Sequence, residues 1–265
     1  MLDTALNDGV IRFSVFIGVL VLFAVLEALF PRKKRTQPRP LRWLTNLGLV
    51  VINGLTIKLM GQVSAMAAAA FAVSQGWGVF ALIDLPLALE VLLGVILLDC
   101  AVYAQHVASH KIPILWRFHR MHHVDRDIDV TTGARFHPVE ICLSMLYKCI
   151  VILALGPQVL AVFIFEVLLN ASAMFNHSNV RLPLSADSII RKIFVTPDMH
   201  RVHHSVHQRE TDSNYGFCLS VWDKLFTTYI AQPKDGHQQM IIGIAEYQTS
   251  KPSDILWCLK LPFTK

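Results

Sequence analysis

The sequence predicts an all-α integral membrane protein: a helical bundle of three spans plus a helical hairpin, under a cytosolic helical cap. Three observations predict it. The 265 residues are 54% hydrophobic and 16% charged, against about 45–50% apolar and about 25% charged in soluble domains. The apolar residues gather in blocks of membrane-spanning length. The charged residues and the bunched histidines lie between and after those blocks.

The first span is expected at about 10–30, close to the roughly 20 residues that cross the hydrocarbon core at about 1.5 Å each. Arg12 and Glu27 lie near its ends, where long polar side chains reach the interface. Pro31 and a basic run stop it, and Pro38 and Pro40 predict an extended segment to Trp43. A second apolar block at about 44–73 reads as one span, with Lys58 its mid-span charge. Gly76-Trp77-Gly78 reads as an interfacial turn with an aromatic anchor. A third span is expected at about 82–103. Residues 104–138 are polar and histidine-rich. The apolar block 139–175 is divided by Gly156-Pro157, which predicts a hairpin that leaves and returns on one side. Residues 177–265 are polar again, and the whole chain reads as a single membrane-embedded domain over 1–265.

Charge sets the expected orientation. Arg32-Lys33-Lys34-Arg35, with Arg39 and Arg42, abuts the first span, the placement of cytoplasmic positive charge. Counting spans from there puts 104–138 and 177–265 both in the cytosol, as in a multi-pass protein of a bacterial inner membrane. Asp3 and Asp8 replace the cationic start of a signal peptide, so the first apolar run is expected to remain as a span. The net charge of +5 comes without groove-reading or base-stacking motifs, which argues against nucleic acid as a partner. The five cysteines form no C-x-x-C pair and read as small core residues.

The chemistry is in the histidines, twelve in all. His106 and His110 form an H-x-x-x-H. His119, His122 and His123 form an H-x-x-H-H, and His200, His203 and His204 form another. On a helix, i and i+3/i+4 share a face, so each box aims its imidazoles at one spot. Imidazole binds iron, zinc and copper. Eight such nitrogens exceed what one metal uses and suit a two-metal centre. Pro113 can open the helix carrying the second box, and Thr196-Pro197-Asp198 is an N-cap, first-position Pro and first-turn acid for the third.

Other polar residues are placed by the same periodicity. His106 and His110 follow Asp99 by 7 and 11 residues, within about 20° of its direction on a helix. Asp99 is therefore expected to orient an imidazole or bind metal itself. Glu166, Asn170 and His177 share a face of the returning helix. His177 is expected to enter the site as a ligand, with Asn170 and Glu166 below it supporting ligands or touching substrate. His137 could ligate or support, with Pro138 opening the next helix. His207 is left outside the site and His237 is expected to be solvated.

These boxes resemble those of the fatty acid hydroxylase/sterol desaturase superfamily of membrane di-iron enzymes. The resemblance runs from about Asp99 to Tyr229. It includes Leu115-Trp116-Arg117-Phe118-His119, Arg135-Phe136-His137-Pro138, Asn176-His177-Ser178-Asn179, Asn214-Tyr215-Gly216 and Trp222-Asp223-Lys224-Leu225-Phe226. It implies two iron ions, with zinc as a substitute in purified protein, and O2 as co-substrate. The centre itself would be the catalytic group, hydroxylating or desaturating a sterol, fatty acyl or related membrane lipid. Electrons would come from a separate donor protein of cytochrome b5, ferredoxin or flavoprotein type. The implied ligands are His106, His110, His119, His122, His123, His177, His200, His203 and His204. Two departures stand out: Val107 where the first box often has Arg, and Thr227 near a usual Gly.

A metal transporter or haem electron carrier is the competing class. A transporter would place ligands near mid-membrane in broken helices, and a haem carrier would pair histidines across spans. Here the boxes lie outside the spans. A metallohydrolase would favour H-E-x-x-H, which is absent.

Overall fold

The computed structural model describes residues 2–61 and 63–264. In chain order the α-helices are α1 (Leu2–Leu29), α2 (Arg39–Leu59), α3 (Ala65–Gln75), α4 (Leu87–Lys111), α5 (Pro113–His123), α6 (Pro138–Leu155) and α7 (Val159–His177). Shorter ones follow: α8 (Leu184–Ile190), α9 (Pro197–His203), α10 (Gln208–Thr211), α11 (Val221–Leu225), α12 (Gly236–Gln239) and α13 (Ile255–Lys260). Among the described residues there is no strand, only three isolated bridges, so the expected all-α class holds. Among the described residues five segments are long and apolar enough to cross a membrane: Gly9–Leu29, Ala65–Leu82, Leu87–Lys111, Pro138–Leu155 and Val159–His177. The third, expected over 82–103, continues to Lys111, so His106 and His110 lie at the end of that segment rather than outside it. The protein is a multi-pass membrane protein.

The chain forms two compact units, each discontinuous in sequence. One comprises 40–124, 135–166 and 249–265. Within it α4 packs on α5 and α6, and α3 packs on α6. Pro113 and Pro138 occupy first-turn positions of α5 and α6, where a missing N–H costs nothing. Gly156 ends α6 at φ 67°, its N–H donating to the Ile152 carbonyl. A Cβ on Gly78 would overlap the backbone of Gly156. The Gly-Trp-Gly turn and the hairpin turn therefore meet backbone to backbone, which only glycine permits.

The second apolar block, expected as one span over 44–73, is two helices, α2 and α3, with Gly61 at φ 68° between them. Average hydropathy conceals why. Arg42, Thr45, Asn46 and Asn53 recur at helical spacing and are all buried, while Leu44, Val51, Leu55 and Leu59 point outward on α2. The polar stripe is satisfied inside the unit: Thr45 Oγ1 donates to the Ser253 carbonyl (2.6 Å) and Asn53 Nδ2 to the Phe136 carbonyl (2.9 Å). The extended segment expected up to Trp43 is also shorter than read, because α2 starts at Arg39 with Pro40 in its first turn.

The other unit comprises 1–39, 125–134 and 167–248. Glu27, expected near the interface, is instead fully buried at the end of α1. Its carboxylate accepts from the Val130 and Asn179 N–H groups (both 3.1 Å) and pairs with Arg35 and Arg39. Arg32 pairs with Asp198 (2.9 Å), and Lys33 Nζ donates to the Gln238 carbonyl (2.8 Å). Asp127 accepts from the Thr36 and Gln37 N–H groups. The basic run, read as a topology signal, thus also ties the end of α1 to later segments. No disulfide forms among the five cysteines, and only Cys258 is buried outright, short of the five core residues expected.

Candidate metal centre

Each unit assembles its own group of histidines. In the first, α4 supplies His106 and His110 one turn apart, and α5 supplies His119, His122 and His123. Ligating atoms of His106, His110, His119 and His123 lie within 4.8 Å of one another. In the second, His177 ends α7, α9 carries His200 and His203, and His204 follows as its C-cap. Ligating atoms of His177, His200 and His204 also lie within 4.8 Å of one another. His110 is half-buried and the other eight are buried. The third box is positioned as expected: the Thr196 hydroxyl accepts from the Met199 N–H, with Pro197 at the first turn.

The orientation of the rings follows from what holds their Nδ1 atoms. His119 Nδ1 lies 2.6 Å from Glu140 Oε1. His122 Nδ1 lies 3.1 Å from the Arg135 carbonyl, His177 Nδ1 2.6 Å from the Ala173 carbonyl, and His203 Nδ1 2.7 Å from the Ser213 carbonyl. A carbonyl only accepts, so each of these three Nδ1 atoms carries the hydrogen and leaves Nε2 its lone pair; the carboxylate of Glu140 does the same for His119. Nε2 atoms then converge: His106 and His119 at 3.1 Å, His177 and His200 at 3.0 Å. Two nitrogens each about 2.1 Å from a metal and at right angles are about 3.0 Å apart. The donor set therefore fits a transition metal in each group.

Glu140 is the site residue that sequence reasoning missed. It is an acid in the first turn of α6, 21 positions from His119, so no helical period links the two. Its second oxygen, Oε2, has no hydrogen-bond partner among the described residues. Glu140 also lines a cavity of about 420 Å³ with Ala108, Ser109, Phe118, Leu143 and Tyr147.

Arg135 is the second residue that periodicity does not reveal, although it lies in the Arg135-Phe136-His137-Pro138 motif. It is fully buried. It donates to the Met121 carbonyl (2.9 Å), Asn46 Oδ1 (2.8 Å), the Pro252 carbonyl (2.7 Å) and Cys258 Sγ (3.0 Å). Its neighbour Phe136 stacks flat on His122, 4.7 Å between centroids.

The remaining expected residues are placed as follows. Asp99 is buried on α4, on the helix that bears His106. Glu166 is buried and pairs with Lys148 Nζ at 3.1 Å. Asn170 is exposed on α7. His137 is used as the N-cap of α6, its Nδ1 accepting from Val139 N–H while Nε2 lies 3.2 Å from the Leu259 carbonyl. Burial lowers its pKa against the pull of that carbonyl and of Glu140. His207 pairs with Asp235 away from the group (2.6 Å). His237 is buried, not solvated as expected. Burial, with Arg201, Arg32 and Arg191 nearby, lowers its pKa to about 4 against the pull of Asp198, leaving it neutral at pH 7.

Around α9 the packing is polar and satisfied. Burial alone would raise the Asp198 carboxyl, but the charges of Arg201 and Arg32, joined by His237 once it protonates in acid, hold it below its ordinary range. Asn214 Nδ2 donates to the carbonyls of Met199 (2.9 Å) and Ile230 (2.8 Å), bracing the residue before His200. Asp223 accepts from the Tyr215 and Gly216 N–H groups and the Thr228 hydroxyl. Thr227, beside it, sits at φ 58°, a region a β-branched residue occupies at a cost. Glycine would adopt this region without that cost. Thr227→Gly is expected to stabilise the protein by about 1 kcal/mol, read as a raised unfolding midpoint; a lowered one would refute the strain.

The sequence model of the family described as "Fatty acid hydroxylase" matches residues 91–228, just over half of the chain. The chain belongs to the fatty acid hydroxylase family. The matched stretch of this family member contains all nine clustered histidines, Glu140 and Arg135. An ornithine lipid hydroxylase of Rhizobium tropici is 26% identical over 226 residues, 83% of this chain and 67% of that one. Human alkylglycerol monooxygenase is 30% identical over 147 residues, 55% of this chain and 31% of that protein. Mouse cholesterol 25-hydroxylase is 24% identical over 145 residues, 54% of this chain and 48% of that protein. The chain thus spans about two thirds of the first relative and about a third of the second. No solved structure matches.

Proposed function

We propose that the protein is a membrane-embedded, O2-dependent hydroxylase of a lipid that holds two iron ions, one in each histidine group. The observation that carries this reading is the set of four anchored Nδ1 atoms, on His119, His122, His177 and His203. Anchoring fixes each tautomer and presents Nε2 as a ligand, the arrangement of metal-binding rather than surface histidines. His106, His110, His123, His200 and His204 complete the donor set. Imidazole suits iron and zinc alike, so zinc is expected to substitute in protein purified without iron.

Bound iron would supply O2 activation and the oxidation of a C–H bond. This chain's residues do the rest. The apolar helices present the lipid laterally, and buried boxes keep water from the oxidant. The boxes face the cytosol in this reading, where a cytochrome b5-, ferredoxin- or flavoprotein-type donor can deliver electrons; in a bacterium the membrane is the inner one. The relatives named as lipid hydroxylases and a monooxygenase favour oxygen insertion over desaturation. The ornithine lipid hydroxylase, which this chain matches over 67% of its length, favours a polar membrane lipid as substrate.

Two measurements test the proposal. Protein expressed with ample iron and purified in detergent is expected to carry about two metal ions per chain, and a content near zero would sink the metal assignment. Comparing the lipids of a deletion strain and its parent is expected to reveal a species differing by one oxygen; a difference of two hydrogens would mean desaturation. His122→Ala and His203→Ala are each expected to abolish that product, and persistence in either would remove that histidine from the site.

A further inference from the structure

The segment after α7, read from sequence as a polar cytosolic region, carries an apolar face. Leu184, Ile189, Ile193 and Phe194 are between 48% and 76% exposed, as are Leu225 and Phe226 in the stretch around α11. The two stretches are knit together. Phe194 and Leu219 form a bridge, Val195 N–H donates to the Cys218 carbonyl and Ser220 N–H to the Ile193 carbonyl (both 2.9 Å). Lys224 Nζ donates to the carbonyls of Arg191 (2.7 Å) and Lys192 (2.8 Å).

The charges on this face are of one sign. Arg181, Lys192 and Lys224 are exposed, whereas both acids are buried. Asp187 pairs with Arg191 (2.5 Å), and Asp223 accepts the hydrogen bonds described above. The face also begins at the ends of two spans. Arg181 N–H donates to the Phe30 carbonyl (2.8 Å) and Pro31 bridges to Val180, just past Gly9–Leu29. Val180 itself lies three residues beyond His177, where the last span ends.

We propose that residues 184–194 and 219–226 form one face that lies in the headgroup–acyl boundary of the bilayer, with a preference for anionic lipid. Contiguous apolar surface rimmed by cations and continuous with span ends matches an interfacial membrane surface. In water it would be an aggregation-prone patch. The absence of exposed acids suits lipid phosphates. The helices of this face are too short to cross, so they lie on the membrane rather than span it.

The test uses the full chain in vesicles of phosphatidylcholine alone or mixed with phosphatidylglycerol. Each sample is photolabelled by a bilayer-soluble and, separately, a water-soluble diazirine, and labelled residues are mapped by mass spectrometry. The bilayer-to-water labelling ratio at Ile193, Phe194, Leu225 and Phe226 is expected to exceed that at exposed Gln208 and Arg209 by at least about tenfold, and to rise with phosphatidylglycerol. Combining Leu225→Asp with Phe226→Asp is expected to lower the ratio at Ile193 and Phe194 as well, since the face acts as one. A ratio equal to that of Gln208 and Arg209 overturns membrane contact, including the case in which only an added protein partner shields the face. An unchanged ratio at Ile193 and Phe194 in the double variant overturns the single face. No response to phosphatidylglycerol overturns the anionic preference.

Discussion

Arg135→Ala is expected to destabilise the protein by about 3–5 kcal/mol, the cost of leaving several buried acceptors unpaired together with the cavity left by the side chain. The guanidinium joins four places: the carbonyl of Met121 between the histidines of α5, Asn46 on α2, Pro252, and Cys258 on α13. Truncation leaves Asn46 Oδ1 and two buried carbonyls without that donor, and opens a cavity the size of the side chain. Arg135→Lys is expected to recover only a minority of the loss, because an ammonium cannot reproduce the planar fork. The measurement is the unfolding midpoint in detergent together with the yield of folded protein. A midpoint within the scatter of wild type would show that the network is redundant. Loss of the network also releases the carbonyl that anchors His122 Nδ1, so metal content should fall with stability.

Glu140→Ala is expected to weaken metal binding by about 10–100-fold with a smaller change in stability. Of the four Nδ1 anchors, Glu140 alone is a carboxylate; the other three are backbone carbonyls. An ionised acceptor makes the stronger hydrogen bond and raises the basicity of the ring it holds. Glu140→Gln keeps an acceptor oxygen but loses the charge, so it should fall between alanine and wild type. Competition with a chelator, under conditions where circular dichroism shows the fold intact, separates the two effects. Equal affinity in wild type and Glu140→Ala would mean that His119 is held without its carboxylate.

Both residues show where sequence reading reaches its limit. The histidine boxes were legible because their members are three or four positions apart, the spacing at which a helix makes neighbours. The starts of α5, α6 and α9 were legible for the same reason, since Pro113, Pro138 and Thr196-Pro197-Asp198 act on adjacent backbone. Glu140 lies 21 positions from His119, and Arg135 reaches Asn46 89 positions away. No local period connects such pairs. The α2 helix failed differently: averaging over the block at 44–73 hid a polar stripe whose partners, Phe136 and Ser253, come from distant segments. Glu27 and His237 read as close to water from their neighbours in sequence, whereas partners from distant segments bury both.

The sequence by itself determined the all-helical membrane class, the helix break at Gly156-Pro157 and the helical spacing of the three histidine boxes. Each follows from composition or from contacts within one helical turn. Only the tertiary structure decided which acid and which carbonyls hold the rings, that α2 buries a polar face, and that residues after α7 present an apolar one. Burial and long-range hydrogen bonding are properties of the folded surroundings: a buried Arg135 or Glu27 is stable only where partners from distant segments arrive together to satisfy its charge.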